Sequence, residues 1–292
     1  METSPTMGII ETHRDLLSRL LPGDTADELA FYEGQFHHVV IGSDRVVCLA
    51  RTEAAAERLP ERAAVLRALA GIDLGFRTPQ PLSEGGAQGT DEPPYLVLSR
   101  IPGAPLEEDA LGSPEVAETV ARQYVTLLSG LAAAGHEKAR AALPEAPAGE
   151  WQEFAAGVRT ELFPLMSAGG RERAERELAA LDALPHLTSA VVHGDLGGEN
   201  VLWETVDGVP RLSGVVDWDE VSIGDPAEDL AAIGASYGEE LLGRVLALGG
   251  WADNGTAERI SAIRGTFALQ QALYAQRDGD EEELADGLGG YR

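Results

Sequence analysis

The residues of this chain best suited to do chemistry together lie in Val191-Val192-His193-Gly194-Asp195-Leu196-Gly197-Gly198-Glu199-Asn200 and in Gly214-Val215-Val216-Asp217-Trp218-Asp219. An apolar pair runs into His-Gly-Asp, an Asn stands five residues after that Asp, and a second apolar run ends in another Asp. Phosphoryl transfer needs such a set: one carboxylate aligns a hydroxyl and takes its proton, and an Asn–Asp pair holds magnesium. Asp195, between Gly194 and a Gly-rich loop, is the candidate catalytic carboxylate. The bland alternative is a loop Asp that caps local backbone. Asn200 and Asp217 offer the hard oxygen donors magnesium prefers, with phosphates and water completing its octahedron. Asp207-Gly208 reads as a hairpin turn between them, and pairing of the two strands would bring Asn200 near Asp217. His193 is expected to brace the turn by hydrogen bonding rather than to carry protons.

The polar residues beyond Asp217 divide by position. Asp219 and Glu220 lie just past the metal pair and could face a substrate. Gly224-Asp225-Pro226 reads as a turn feeding a helix, so Asp225 and Asp229 are expected to cap backbone donors or to pair with a cation. Near the N-terminus, Gly34-Gln35-Phe36-His37-His38 lies between two β-like runs and could fold over phosphates, although one glycine is not P-loop spacing. Arg51 closes the run Val46–Ala50, where such a lobe needs a cation for the α- and β-phosphates. A surface Arg ending a strand is the alternative. Glu61 is a candidate partner for Arg51, but the interval is short and Pro60 intervenes.

These residues need an α+β scaffold. Apolar spacing predicts a helix over 8–21, stopped by Pro22-Gly23-Asp24, then strands over 29–32, 36–41 and 46–50. Residues 53–69 read as a helix interrupted or restarted at Pro60. Gly85-Gly86 and Pro93-Pro94 bracket a loop before the buried strand 95–98. Beyond Arg100-Ile101-Pro102-Gly103 the pattern turns helical, with helices over 114–131, 151–166, 171–184, 227–248 and 256–276, and strands returning only around 190–217. The acidic run 278–283 reads as a solvated face or tail. The expected division is therefore 1–103, a β-rich nucleotide-binding lobe with its hinge, and 104–292, a helical lobe carrying the catalytic loop and substrate site.

Bulk properties narrow the partners. The 22 Lys and Arg against 49 Asp and Glu give a net charge of −27. Such a surface repels nucleic acid and anionic membranes and attracts cationic ligands, unless it is a plain solubility adaptation. One cysteine, Cys48, allows no internal disulfide and fits a reducing compartment. Neither a signal peptide nor an apolar run of about 18 residues is visible. A cytoplasmic monomer or homodimer is expected.

His193-Gly194-Asp195-x4-Asn200 with Asp217-Trp218 and Gly224-Asp225-Pro226-x2-Asp229-Leu230 resembles the aminoglycoside phosphotransferase family, small-molecule kinases built like protein kinases. Leu96-Val97-Leu98-Ser99-Arg100-Ile101-Pro102-Gly103 looks like that family's hinge. The resemblance implies a bilobal protein-kinase-like fold, ATP and Mg2+ as cofactors, Asp195 as the catalytic residue, and Asn200 and Asp217 on the metal. It also implies that Ser99 and Ile101 offer backbone groups to adenine. Gly197 and Gly198 depart from the His-Pro or Lys-Pro character usual after the catalytic Asp, and Arg51 stands where Lys is commoner. Within the family the chain is similar, from Ile10-Glu11-Thr12-His13-Arg14-Asp15 onward, to the tuberactinomycin phosphotransferases. That implies phosphorylation of a seryl-type hydroxyl on a cationic cyclic peptide antibiotic such as viomycin or capreomycin. Another small-molecule substrate (an aminoglycoside, a macrolide, choline or homoserine) and a nucleotide-binding pseudokinase are the alternatives.

Overall fold

Short runs of β-branched and aromatic residues fold as β1 (Ala30–Glu33), β2 (His37–Ile41) and β3 (Arg45–Ala50). With β4 (Pro81–Gly85) and β5 (Tyr95–Ser99) they form an antiparallel sheet in the order β1-β2-β3-β5-β4. The computed structural model describes residues 5–34, 36–87, 89–90, 92–134 and 137–292. The strand β4 was not expected, because a proline starts it and a glycine ends it. At a sheet edge neither costs a ladder bond that matters.

Each face of this sheet is covered. The helix expected over 8–21 breaks at His13 into α1 (Pro5–Thr12) and α2 (Arg14–Leu20). Leu16, Leu17, Leu20 and Leu21 bury against Val40, Val47, Leu49, Tyr95 and Val97. On β3, β4 and β5 packs α3 (Glu53–Ala70), which buries Leu59, Ala63, Leu66 and Leu69. Thr52 caps α3 by accepting from the Ala55 N–H at 3.1 Å. The break expected at Pro60 does not occur: the helix runs through. Pro60 sits on its exposed face, so the missing N–H faces solvent rather than packed neighbours.

Later strands are β6 (Ala190–Val192), β7 (Val201–Val206), β8 (Val209–Val215) and β9 (Ser222–Gly224). β7 and β8 form the expected hairpin, with Asp207 (φ 53°) and Gly208 (φ 78°) both left-handed as an Asp-Gly two-residue turn requires. Two compact units result: Met1–Leu106 with Glu199–Asp219, and Glu107–Gly198 with Glu220–Arg292. Set beside the division expected at 103/104, the first unit runs on to Leu106 and takes up the hairpin. Backbone bonds explain why. Ala104 and Trp203 exchange N–H···O bonds of 3.0 and 2.8 Å, and the Val215 N–H donates to the Arg77 carbonyl at 3.0 Å. Gly103, at φ 106°, permits this approach, since a Cβ there would stand 2.5 Å from the Trp203 oxygen.

The second unit holds α4 (Pro114–Ala134), α5 (Glu137–Arg140), α6 (Glu150–Gly157), α7 (Ala168–Asp182), α8 (Ala227–Gly249), α9 (Asn254–Gly265), α10 (Phe267–Asp278) and α11 (Glu281–Gly287), with β6 paired to β9. The helix expected over 151–166 loosens after Gly157 into a π turn and a short 3-10 turn, and the one expected over 256–276 divides at Thr266. α8 kinks at Gly238 (φ 79°, ψ 178°). The acidic run is partly helical: Asp280 caps α11, accepting from the Glu282 and Glu283 N–H groups at 3.1 Å. Val158, Leu162, Met166, Leu178, Leu269, Leu273, Leu288 and Tyr291 centre its core. Among the described residues no helix is long and apolar enough to cross a membrane.

Candidate active site

In the second unit, β6 delivers a turn that is clamped from beneath. His193 is fully buried. Asp229, in the first turn of α8, accepts from the His193 N–H at 3.0 Å and the Gly194 N–H at 3.1 Å. Burial pushes the Asp229 carboxyl up to about 7, and these two bonds act against that rise. Gly194 sits at φ +87°, and a Cβ there would lie 2.6 Å from the Glu220 carbonyl oxygen. The Asp195 N–H donates to His193 Nδ1 at 3.2 Å, so the imidazole serves as a brace. Asp195 itself is exposed, while Leu196, Gly197 and Gly198 behind it are buried. The Gly198 N–H donates to Ser236 Oγ at 2.9 Å, and a Cβ on Gly198 would meet the Tyr237 hydroxyl at 2.7 Å. The departure from a bulkier residue at Gly198 thus follows from Tyr237. Asp225 does both things expected of it, accepting from the Ala227 N–H at 3.1 Å and from Arg259 Nε at 2.8 Å.

Carboxylates gather in the same unit. Burial raises the Glu228 carboxyl to about 8, with Asp229, Glu150 and Asp225 adding to the effect. Glu150 is raised by burial and next by the charge of Glu220, whose backbone lies over Gly194. Glu150 went unnoticed in the sequence, where it is one acid at a helix start among many.

In the first unit, the hairpin brings Asn200 and Asp217 to the same end. Val201 pairs with Val215, and the Val216 N–H donates to the Asn200 carbonyl at 2.9 Å. Trp218 anchors this end of the hairpin: its Nε1 donates to the Val215 carbonyl at 2.9 Å and its ring stacks on Phe76. Asp217 takes a left-handed backbone (φ 62°), tolerated by Asp better than by most side chains, and its carboxylate is half exposed. One amide and one carboxylate suit magnesium, which takes few protein ligands. Among the described residues no three His, Cys, Asp or Glu side chains converge as a transition-metal site would need.

The same unit holds a cation that the sequence patterns did not single out. Arg62, on α3, has a side chain only 16% exposed; its Nε lies 2.6 Å from Asp219 Oδ1 and its Nη2 3.8 Å from Asp217 Oδ1. Its Nη1 is 3.4 Å from His37 Nδ1, and the buried Cys48 thiol on β3 adjoins it. Burial, and then the Arg62 charge, lower His37 to about 4. A signal was present: Arg62 falls on the stripe of Ala55, Leu59, Leu66 and Leu69, where a charge is out of place on an apolar face.

Arg51, by contrast, bonds to its neighbours: Nη1 donates to the Gly34 carbonyl at 2.6 Å and Nη2 pairs with Glu33 at 2.8 Å. Its partner is Glu33 rather than Glu61. Gln35 lies outside the described residues. The Ser99 N–H donates to the Gln80 carbonyl at 2.9 Å, and Ser99 Oγ accepts from the Gln80 N–H. Ile101 is buried just beyond β5. Asp219 is held by Arg62, whereas Glu220 lies beside the Gly194 turn.

Known proteins are similar to this chain in sequence and in fold. Viomycin phosphotransferase of Streptomyces vinaceus is 91% identical over 287 residues, which is 98% of this chain and 100% of that protein. The GDP and kanamycin complex of APH(2")-IIia superposes with a TM-score of 0.81 at 20% identity, covering 95% of this chain and 96% of that one. Macrolide 2'-phosphotransferase type I gives 0.72 at 24% identity, with 100% and 99% covered. The fold is therefore the protein-kinase-like α+β fold of antibiotic phosphotransferases. The model of the phosphotransferase enzyme family matches residues 33–261, from β1 into α9 and across both the His193–Asp195 turn and Asp217, and the chain belongs to that family.

Proposed function

We propose that the protein is an ATP-dependent O-phosphotransferase that inactivates a tuberactinomycin antibiotic, viomycin foremost, by phosphorylating a seryl-type hydroxyl. The observation that carries this is the 91% identity to the Streptomyces vinaceus viomycin phosphotransferase along its whole length. A nucleotide as phosphate donor is supported by the GDP of the APH(2")-IIia complex. Cytoplasmic action follows from the need for ATP.

Asp195 is the catalytic carboxylate. Its exposed side chain stands on a turn whose backbone is fixed by Asp229 and His193, so little reorganisation is needed to receive a hydroxyl. The antibiotic's hydroxyl oxygen attacks the γ-phosphorus. The new O–P bond forms as the bond to the β–γ bridging oxygen breaks, the hydroxyl proton passes to Asp195, and ADP leaves. Asn200 and Asp217 are the residues that would hold magnesium, which neutralises phosphate charge when bound. Gly34 and the backbone at Ser99 and Ile101 are assigned to the nucleotide, with the Ser99 carbonyl favoured because its N–H already bonds to Gln80. Glu220, electrostatically coupled to Glu150, is assigned to the basic groups of the antibiotic, and a chain of net charge −27 suits such a ligand.

Mass spectrometry of viomycin, capreomycin and kanamycin after incubation with the protein and MgATP or MgGTP tests this. Viomycin should gain one phosphate, mapped to a seryl hydroxyl. Turnover of kanamycin with neither peptide modified would overturn the assignment.

A further inference from the structure

We propose that Arg62 is the cation that holds the phosphates of the nucleotide in this chain, in the place where a cation ending β3 was expected. This rests on the nucleotide-dependent reading above and adds to it a residue from α3. A triphosphate keeps negative charge after one divalent ion has bound, and a positioned cation must meet what is left. Arg51 is poorly placed to do so, because its guanidinium is engaged by Glu33 and by the Gly34 carbonyl.

Arg62 differs in both burial and company. Burying a guanidinium is costly unless partners offset it, so a side chain 16% exposed is held there by something. Its two carboxylate partners are unequal. Asp219 sits at 2.6 Å, a direct ion pair, whereas Asp217 sits at 3.8 Å, near the limit of one. Asp219 therefore positions the group, and the looser edge of the fork faces the residue assigned to magnesium. Two further neighbours, on β2 and β3, carry no charge. Burial holds the Cys48 thiol protonated, and His37, lowered to about 4, stays uncharged at neutral pH. The positive charge is thus not cancelled from β2 or β3. An ion taken up by Asp217 would draw off that carboxylate's charge, and phosphate oxygens become the acceptors best matched to a planar fork of N–H donors.

Equilibrium binding of adenosine, AMP, MgADP and MgATP to the full-length wild-type, Arg62→Ala, Arg62→Lys and Arg51→Ala proteins tests the assignment by calorimetry, without turnover. Arg62→Ala should leave adenosine affinity within about twofold and weaken MgATP by tenfold or more, the loss growing with the number of phosphates. Arg62→Lys should recover part of it, since charge returns without the fork. If the alanine variant melts below the assay temperature, Arg62→Lys is read against wild type, and a smaller loss with the same dependence on phosphate number is expected. An equal loss for adenosine and MgATP, no loss, or the phosphate-dependent loss in Arg51→Ala instead would overturn the proposal. Wild-type protein that binds none of the four would overturn the nucleotide reading itself, and so is distinguishable from a failure of Arg62 alone.

Discussion

The turn at His193–Asp195 and the hairpin base at Asn200–Asp217 hold their polar groups by opposite means. In the second unit, side chains fix backbone: Asp229 takes two N–H groups, His193 takes a third and Ser236 a fourth, and Asp195 is presented outward on a rigid loop. In the first unit, side chains balance one another's charge: Arg62 lies between Asp217 and Asp219. Under the proposed function, a carboxylate that meets a neutral hydroxyl needs a fixed position, and groups that meet a polyanion and its metal need charges that can change partners when the ligand arrives. The first region should thus answer to chemistry and the second to nucleotide affinity when each is altered.

The largest effect belongs to the turn. Asp195→Asn should lower kcat by roughly 10²–10⁴-fold while leaving MgATP affinity near wild type, and calorimetry beside steady-state kinetics would separate the two. Equal turnover in mutant and parent would end the assignment. Asp217→Asn is the converse test. It should weaken binding of the magnesium complex by on the order of 10²-fold, with metal-free nucleotide much less affected, and identical losses for both would remove Asp217 from the metal site.

Two smaller changes probe the rigidity of the turn. Gly194→Ala, at φ +87° and against the Glu220 carbonyl, should cost about 1–3 kcal/mol of stability and misplace Asp195. Denaturant titration reads the first effect and kcat the second, and an unchanged midpoint would show that the loop yields. Finally, the folded state keeps a proton on Glu228 (raised to about 8) and on Asp229 (to about 7) that the unfolded chain releases near pH 4. Their contribution is full below that pH and is lost as pH rises through 7 and 8. The melting temperature should therefore fall from pH 5 to 8, and Glu228→Gln should flatten the fall; an unaltered slope would remove Glu228 from the account.

The layout of the candidate site is legible in the sequence because its residues lie close together and its hairpin is set by a two-residue turn. Asp195, Asn200, Asp207-Gly208 and Asp217 are such cases. What stayed hidden depends on contacts between distant segments. Arg62 acquires its meaning from residues 217 and 219, and its partnership could not be read from α3 alone. Arg51 was a fair expectation from position, but Glu33 on β1, two strands away, engages it. The edge strand β4 and the uninterrupted α3 were lost for a related reason: Pro81, Gly85 and Pro60 carry breaker propensities that an exposed or edge position overrides. Gly198 departs from the usual pattern, and the residue that crowds it, Tyr237, lies on a helix some forty residues later.

The hairpin's attachment to Gly103, Ala104 and Arg77 bears on how the chain matures on the ribosome. Domains usually fold in the order they emerge. Here the first unit lacks its final two strands until Asp219 has been made. At about 5–20 residues per second the stretch from Glu107 to Asp219 takes roughly 6–23 s. For that interval the backbone of Ala104 and the Arg77 carbonyl wait without their strand partners while most of the second unit is already being synthesised. The N-terminal portion of this protein is begun first and completed late.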